Sequence, residues 1–321
     1  MRVLVMDGGG SKGLFTLEVL RYIEIACGRP IRECFDLIVG TSIGAFIAGS
    51  IAAGKTIDQM EEQFNRLVST IANAHPTPRS MLTRLLWGHV LDGASMEELL
   101  HEFFGETTMA DLPASPHVLL LAGDAREFIP HPFLIRNRPV PADRSPFASS
   151  TTMRLVDAIR AAAAAPTVYP AHIVDGIPLV DAAILANNPV LFALAEANLV
   201  SPHLDCIVSV GTGVETRHVH PNPHRGLLEW MWTAVRRTVD PVTSEMLIRG
   251  ILPSSKYIRF DPPTVGDCSA WECDTKTLFR WRKVVQDYMH DQQETLASLA
   301  HLLFPPVQDN EDRSVSNGSG P

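Results

Sequence analysis

Cysteine is scarce in this sequence, and long apolar runs are missing altogether. Five cysteines are scattered over 321 residues, an odd number that argues against a disulfide framework and favours reduced thiols. No stretch approaches the roughly 18 apolar residues of a membrane-spanning helix. The chain opens directly on the strand-like run "RVLVMD", without the zones of a signal peptide. We therefore expect a cytoplasmic protein with no transmembrane segment that meets membranes only peripherally.

Positive charge is also in short supply. The 27 lysines and arginines are outnumbered by 36 acidic residues, which gives a net charge of −9. Sequence-independent nucleic-acid binding needs clustered basic residues, so we expect no nucleic-acid partner. Cys268 and Cys273 have no second pair of ligands at zinc-site spacing, and the histidines of "RHVHPNPHRG" are typical of a solvated loop. We predict no metal and no cofactor.

Strand-like and helix-like segments alternate along most of the chain. Val3 to Met6 are four consecutive apolar residues, a pattern typical of a strand covered on both faces. "CFDLIVG", "PHVLLLAGDA" and "LDCIVSVGTG" are similar, and amphipathic segments lie between them. The alternation predicts an α/β domain over 1–305, with a mainly parallel central sheet flanked by helices. One long helix is expected over roughly 275–304, and 306–321 is predicted to be a disordered tail.

The segment "VGTSIGAFIAG" joins a buried strand to an apolar helix through a serine. Gly40, Ser42 and Gly44 fit the pattern G-x-S-x-G. In that pattern the serine occupies a strained strand-to-helix turn, and the small residues on either side prevent clashes between strand and helix. Such a turn exposes the hydroxyl as a nucleophile. A serine that only caps the helix is the alternative, and this stretch alone does not decide between them.

A glycine-rich loop, "DGGGSKG", joins the first strand to the first helix. Its free N–H groups favour anion binding. Gly8, Gly10 and Gly13 satisfy the G-x-G-x-x-G spacing of a dinucleotide site, but no acidic residue ends the second strand as that site requires. An oxyanion hole for acyl transfer is the other interpretation, and it lets this loop and Ser42 serve one reaction. Lys12 adds positive charge beside the loop, or is simply solvated.

A serine hydroxyl is a weak nucleophile and needs a base. The late histidines His203, His218, His220 and His224 are candidates, but none follows an obvious strand in a turn-like loop. Asp181 in "PLVDAAILANNPV" is a better candidate, because it ends an extended segment and small residues follow it. Burial would raise its pKa and let it take the serine proton directly. A simple turn or helix-capping aspartate is the alternative.

Taken together and in this order, "DGGGSKG", "GTSIG" and "DAA" resemble the motifs of the patatin-like phospholipase family. The family pattern is D-G-G-G-x-[RK]-G, then G-x-S-x-G, then D-G-[GA], and "DAIRAAAAAPTVYP" and "ANNPV" resemble its supporting stretches. The resemblance runs from about residue 3 to about residue 265. It implies a single patatin-like domain and calcium-independent hydrolysis of acyl esters in phospholipids or related lipids, at a membrane or micelle surface.

The resemblance also implies residue roles. Ser42 would be the nucleophile and Asp181 the base of a Ser–Asp dyad that needs no histidine. The oxyanion would be bound by the N–H groups of Gly8, Gly9 and Gly10. Lys12 stands where the family often has arginine, and Ala182 replaces its glycine after the aspartate. If position 182 requires a positive φ, the alanine costs about 1 kcal/mol of strain.

Two other functions remain open at this point. One is a histidine-dependent serine esterase, which would use one of the late histidines. The other is a non-catalytic lipid- or nucleotide-binding module that uses the glycine-rich loop. In that case Ala182, in place of the family glycine, would indicate a catalytic site that has decayed. Trp230 and Trp232 lie near a basic pair and would suit an interfacial helix, although packing in the core explains them as well. The sequence does not indicate an oligomeric state.

Overall fold

The computed structural model describes residues 1–73, 91, 93–141, 145–215, 241–264 and 274–305. The predicted tail, 306–321, lies outside the described residues, so its expected disorder stays a prediction. So does the single-domain boundary at residue 305.

Strands and helices alternate in the described residues. The strands are β1 Arg2–Met6, β2 Leu37–Thr41, β3 His117–Asp124, β4 His131–Arg136, β5 Ala148–Ser150, β6 His172–Val174, β7 Ile177–Asp181, β8 Cys206–Val210, β9 Val214–Glu215, β10 Tyr257–Phe260 and β11 Pro263–Thr264. The helices are α1 Gly13–Cys27, α2 Ile31–Cys34, α3 Ile43–Ala52, α4 Ile57–Asn73, α5 Ala94–Phe104, α6 Leu155–Ala162, α7 Ala183–Ala186, α8 Val190–Val200, α9 Val242–Ile251, α10 Thr275–Asp291 and α11 Gln293–Leu303.

A mainly parallel sheet forms the centre of the molecule, which confirms the predicted α/β class. Its strand order is β10-β8-β1-β2-β3-β4-β5, and β10, β8, β1, β2 and β3 run parallel to one another. β4 and β7 pair antiparallel with β3, and β6 pairs antiparallel with β7. The carboxyl ends of β1 and β2 therefore lie at the same edge of the sheet.

β2 and β7 meet end to end along one side of β3. Thr41, the last residue of β2, pairs with Leu121, and Asp181, the last residue of β7, pairs with the next residue, Ala122. Because the two strands run in opposite directions relative to β3, their carboxyl ends face each other. The residue after β2 is Ser42, so this register brings the predicted nucleophile and the predicted base together.

Both faces of the sheet are buried, as predicted for β1. Leu4 and Met6 belong to one apolar cluster, whereas Val3 and Val5 belong to another, and all four are inaccessible to solvent. Successive side chains of a strand point to opposite faces, so β1 contributes to a core on each side of the sheet. This two-sided burial holds the loop after β1 in place.

The end of the described chain differs from the expectation. A single helix was predicted over 275–304, and the structure has two, α10 and α11, separated at Gln292. Asp274 caps α10, since its carboxylate accepts a hydrogen bond from Thr277 N. Both helices pack against α1, which leads away from the glycine-rich loop.

Candidate active site

Ser42 lies in the tight turn between β2 and α3. Its φ of 55° and ψ of −122° are strained for a residue with a side chain. The glycines on either side are sterically required. A methyl group at Gly40 would lie 2.1 Å from the Gly44 carbonyl oxygen, and one at Gly44 would lie 2.4 Å from the Met6 carbonyl oxygen. Strand β2 and helix α3 therefore approach too closely for any larger residue.

The hydroxyl of Ser42 is not used to cap α3. The first turn of α3 bonds to the backbone carbonyl of Ser42, which accepts from Ala45 N at 2.9 Å and Phe46 N at 3.2 Å, while its side chain makes no capping hydrogen bond. The capping alternative raised by the sequence thus finds no support in the geometry. The hydroxyl remains available for another partner.

That partner is Asp181, whose side chain is 2% exposed. Burial raises the pKa of this carboxyl to about 6, against the opposing effects of hydrogen bonds with the Ser42 side chain and with the Ala183 backbone. Asp181 Oδ1 accepts from Ala183 N at 2.8 Å, and Asp181 N donates to the Ala164 carbonyl at 2.9 Å. These bonds fix the carboxyl at the end of β7, and burial gives it the elevated proton affinity that a general base requires.

The glycine-rich loop after β1 passes directly over Ser42. A methyl group at Gly8 would lie 3.1 Å from Ser42 Cβ, and one at Gly9 would lie 2.4 Å from Thr212 Oγ1. Thr212 Oγ1 donates to the Gly8 carbonyl at 2.9 Å, and Gly8 N donates to the Asn187 carbonyl at 2.9 Å. The loop is thus clamped from both sides, and its glycines permit the close approach.

Sequence reasoning did not identify Thr212 or Asn187 as neighbours of this loop. Thr212 follows β8, which pairs with β1, so its position depends on a strand pairing that local periodicity does not encode. Asn187 follows the short helix α7. The signal for it in the sequence is the resemblance of "ANNPV" to a supporting stretch of the family.

A cavity of about 630 Å³ opens beside these groups. Ser42, Asp181 and Lys12 line it, together with the glycine-rich loop. Its volume lies within the range of small-molecule sites, and it far exceeds the roughly 30 Å³ that one water occupies. The remaining wall is largely apolar and includes Phe46, Phe64, Leu67, Val68 and Met96. The arrangement places polar, reactive groups at one side of an apolar pocket.

The sequence is similar to those of known proteins. The sequence profile described as "Patatin-like phospholipase" matches residues 4–194. This chain belongs to the patatin-like phospholipase family. It is 29% identical to calcium-independent phospholipase A2-gamma of Mus musculus, over 94% of this chain and 40% of that protein.

Two bacterial members match over more of their length. A cGAMP-activated phospholipase of Pseudomonas aeruginosa is 33% identical over 95% of this chain and 91% of that protein. A cUMP-AMP-activated phospholipase of Escherichia coli is 31% identical over 76% of this chain and 75% of that protein. The chain spans about 40% of the length of the mammalian relatives.

The departure from the family pattern at Ala182 causes no backbone strain. Ala182 has a φ of −76° and a ψ of 1°, a conformation open to any L-residue, and its side chain is fully buried. The condition under which an alanine would be costly, a positive φ, is therefore not met. Lys12, where the patatin-like family often has arginine, ends the short 3-10 turn Gly10–Lys12.

Histidine is absent from the described residues that line the cavity. His203 precedes β8 and accepts a hydrogen bond from the amino terminus of the chain, at the edge of the sheet opposite Ser42. That position is too remote for a general base. Other sequence features lie outside the described residues, namely His218, His220, His224, Trp230 and Trp232.

Neither a metal-binding cluster nor a membrane-spanning helix occurs in the part of the chain that the structure describes. That part has no group of three or more His, Cys, Asp or Glu side chains arranged to hold a metal ion. None of its helices has the length and apolar character needed to cross a bilayer. Of the cysteines, Cys27, Cys34 and Cys206 are free thiols, and Cys268 and Cys273 lie outside the described residues.

Proposed function

We propose that this protein hydrolyses acyl esters of phospholipids or related lipids, without calcium, through an acyl-enzyme on Ser42. The observation that carries the proposal is the register on β3 that brings the strained Ser42 and the buried Asp181 together, at the wall of an apolar cavity. Membership of the patatin-like family supports it, as do relatives that are named phospholipases.

The two residues can carry a complete acyl-transfer cycle. Asp181 accepts the proton of Ser42 Oγ while the oxygen attacks the ester carbonyl. The protonated Asp181 then gives this proton to the departing alkoxide, and the acyl group stays on Ser42. A water molecule next loses a proton to Asp181 and attacks the acyl-enzyme, and the fatty acid leaves as the proton returns to Ser42. Because one carboxyl serves as base and then as acid, no histidine is needed.

The oxyanion formed in each step needs hydrogen-bond donors. Of the three predicted glycines, Gly8 already donates its N–H to Asn187, whereas no backbone carbonyl of the described residues accepts from Gly9 or Gly10. We therefore assign the oxyanion contacts to the amides of Gly9 and Gly10. Lys12 adds positive charge on the same wall of the cavity. Gly8 supports them by allowing the loop to approach Ser42.

The apolar wall of the cavity suits the fatty-acyl chain of a lipid. Phe64, Leu67 and Val68 of α4 line this space together with Phe46 of α3 and Met96 of α5. Burying a hydrocarbon chain here would contribute about 0.8 kcal/mol per methylene. We propose that the enzyme is cytoplasmic and meets its lipid at a membrane or micelle surface.

A second element of the proposal concerns activation. The bacterial relatives that match this chain over most of their length are named for activation by cGAMP or cUMP-AMP. We propose that one of these nucleotides raises the activity of this protein. Rates measured with and without each nucleotide test this directly, and equal rates in all three conditions would remove it from the proposal.

The test of the catalytic assignment is covalent labelling by a fluorophosphonate, together with mass spectrometry of products from a mixed lipid extract. Wild type should be labelled and should release fatty acids and lysolipids, and Ser42→Ala should do neither. Ser50→Ala is a matched control, because Ser50 lies in α3, the helix that follows Ser42, with its hydroxyl bonded to the Phe46 carbonyl. Equal labelling of wild type and Ser42→Ala would refute the assignment.

The same assays separate the two alternative functions. A histidine-dependent esterase would keep its activity in Asp181→Asn and lose it on substitution of His218, His220 or His224. A non-catalytic module would bind lipid or nucleotide but take no fluorophosphonate label. We expect Asp181→Asn to retain lipid binding and to lose at least about 100-fold in turnover.

A further inference from the structure

Arg259 lies on β10, two strands away from β1, the strand that leads into the glycine-rich loop. Its side chain extends towards the start of that loop. β8 separates β10 from β1, and Arg259 pairs in register with Ser209 of β8. Its guanidinium donates to Ser209 Oγ at 2.7 Å and, beyond it, to Asp7 Oδ2 at 2.7 Å and Asp7 Oδ1 at 3.3 Å. Asp7 is the residue immediately before Gly8.

This guanidinium is the centre of a buried charge cluster. Besides Asp7, it contacts Asp261 Oδ2 at 2.6 Å and lies 3.2 Å from Glu245 Oε2 of α9. Arg259 and Asp7 are at most 2% exposed. Burial raises the pKa of Asp7 to about 6, and Arg259 opposes that rise. Arg259 thus offsets the charge of Asp7 and Asp261 directly behind the loop, whereas Glu245 also pairs with Arg249 at 2.8 Å. No other lysine or arginine among the described residues contacts Asp7.

Two routes lead from Arg259 to the loop. The first is direct, through the carboxylate of Asp7. The second runs through Asp261, whose Oδ1 accepts from Gly213 N at 2.9 Å, and then through the neighbouring Thr212, whose hydroxyl holds the Gly8 carbonyl. Arg259 therefore holds Asp7, at the start of the glycine-rich loop. Through Asp261 it also holds the segment with Thr212 and Gly213, whose Thr212 hydroxyl binds the Gly8 carbonyl.

We propose that Arg259 is a positioning residue for acyl transfer. It holds the glycine-rich loop in place over Ser42 and offsets the negative charge of Asp7 and Asp261 behind that loop. The inference rests on the proposed function. Preorganised donors stabilise an oxyanion only when they are held in place, and a displacement of 1 Å can cost about 100-fold in rate. Without Arg259, the carboxylates of Asp7 and Asp261 would lose their ion pair and would also repel the developing oxyanion. Arg259 lies outside the span that the family profile matches.

The test compares Arg259→Met and Arg259→Lys with wild type on a soluble acyl ester. Fluorophosphonate titration counts the reactive sites in each preparation. Dividing the turnover rate by that count removes the effect of misfolded protein. We expect kcat per titrated site to fall about 100-fold in Arg259→Met with KM changed less than about threefold, because the oxyanion exists only in the transition state. Arg259→Lys keeps the positive charge but loses the paired donors of the guanidinium. Its kcat should therefore be about tenfold higher than that of Arg259→Met.

Arg136→Met is the matched control. Arg136 is equally buried and paired with Glu196, but it lies on β4 and does not line the cavity. It should lower stability and leave kcat per titrated site unchanged. Asp7→Asn should lower kcat, and the double variant with Arg259→Met should lose no more than the larger single loss, since both act through one contact.

Two results would overturn the inference. One is an unchanged kcat per titrated site in Arg259→Met, and the other is an equal loss in Arg136→Met. Wild type that takes no fluorophosphonate label would instead refute the proposed function itself, so the two failures are distinguishable.

Discussion

Asp181 makes the activity of this protein depend on pH in a way that differs from a free aspartate. Because the buried carboxyl has a pKa of about 6, it must lose a proton before it can act as a base. At about pH 5 only about one tenth of the molecules would carry an ionised Asp181, whereas an unshifted aspartate would be more than nine-tenths ionised. We therefore predict that kcat/KM at about pH 5 is about one tenth of its value at about pH 8.

The assay is hydrolysis of a soluble ester from about pH 4.5 to about pH 8, with active sites titrated at each pH. A flat profile down to about pH 4.5 would refute the reasoning. Asp7 also has a pKa of about 6, so the profile should be repeated in Asp7→Asn. The inflection should persist there at a lower plateau, and its disappearance would assign it to Asp7 instead.

The same shift has a consequence for stability. The pKa of Asp181 is raised from 3.8 to about 6 on folding, so its ionisation opposes folding. This loss of unfolding free energy is absent below about pH 4 and grows between about pH 4 and about pH 6. Above that range it is constant at about 3 kcal/mol. Asp181→Asn lacks this group. Urea unfolding of both proteins should therefore show the variant gaining stability relative to wild type between about pH 4 and about pH 7.

Three further predictions, one of them with a control variant, test the geometry of the site. Gly44→Ala should cost about 1–3 kcal/mol of unfolding free energy, because its methyl group meets the Met6 carbonyl, whereas Gly250→Ala in α9 meets nothing and should gain about 0.5–1 kcal/mol. Ala182→Gly should leave kcat unchanged and cost about 1 kcal/mol in thermal unfolding, since its negative φ needs no glycine. Leu67→Trp should lower turnover of long-chain esters at least about tenfold relative to short-chain ones, and equal turnover would contradict the proposed acyl pocket.

Local patterns in the sequence predicted much of the fold correctly. The run Val3–Met6 is a fully buried strand, and the G-x-S-x-G stretch forms a strained strand-to-helix turn at Ser42. Such features depend on neighbours in the sequence and on burial alone. The predicted single helix over 275–304 was wrong, since α10 and α11 separate at Gln292, where neither glycine nor proline marks the break.

The order of the motifs was enough to identify the family and to predict Ser42 and Asp181 as its reacting pair, because strained turns and glycine loops leave local signatures. Only the tertiary structure decided how the two residues meet. β7 runs antiparallel to β3, and its last residue pairs with Ala122 of β3, next to the Leu121 that pairs with the last residue of β2. It also decided that Ala182 is unstrained and that Arg259 stands behind the loop. Strand pairing and buried ion pairs join residues far apart in the chain, and periodicity carries no information about such contacts.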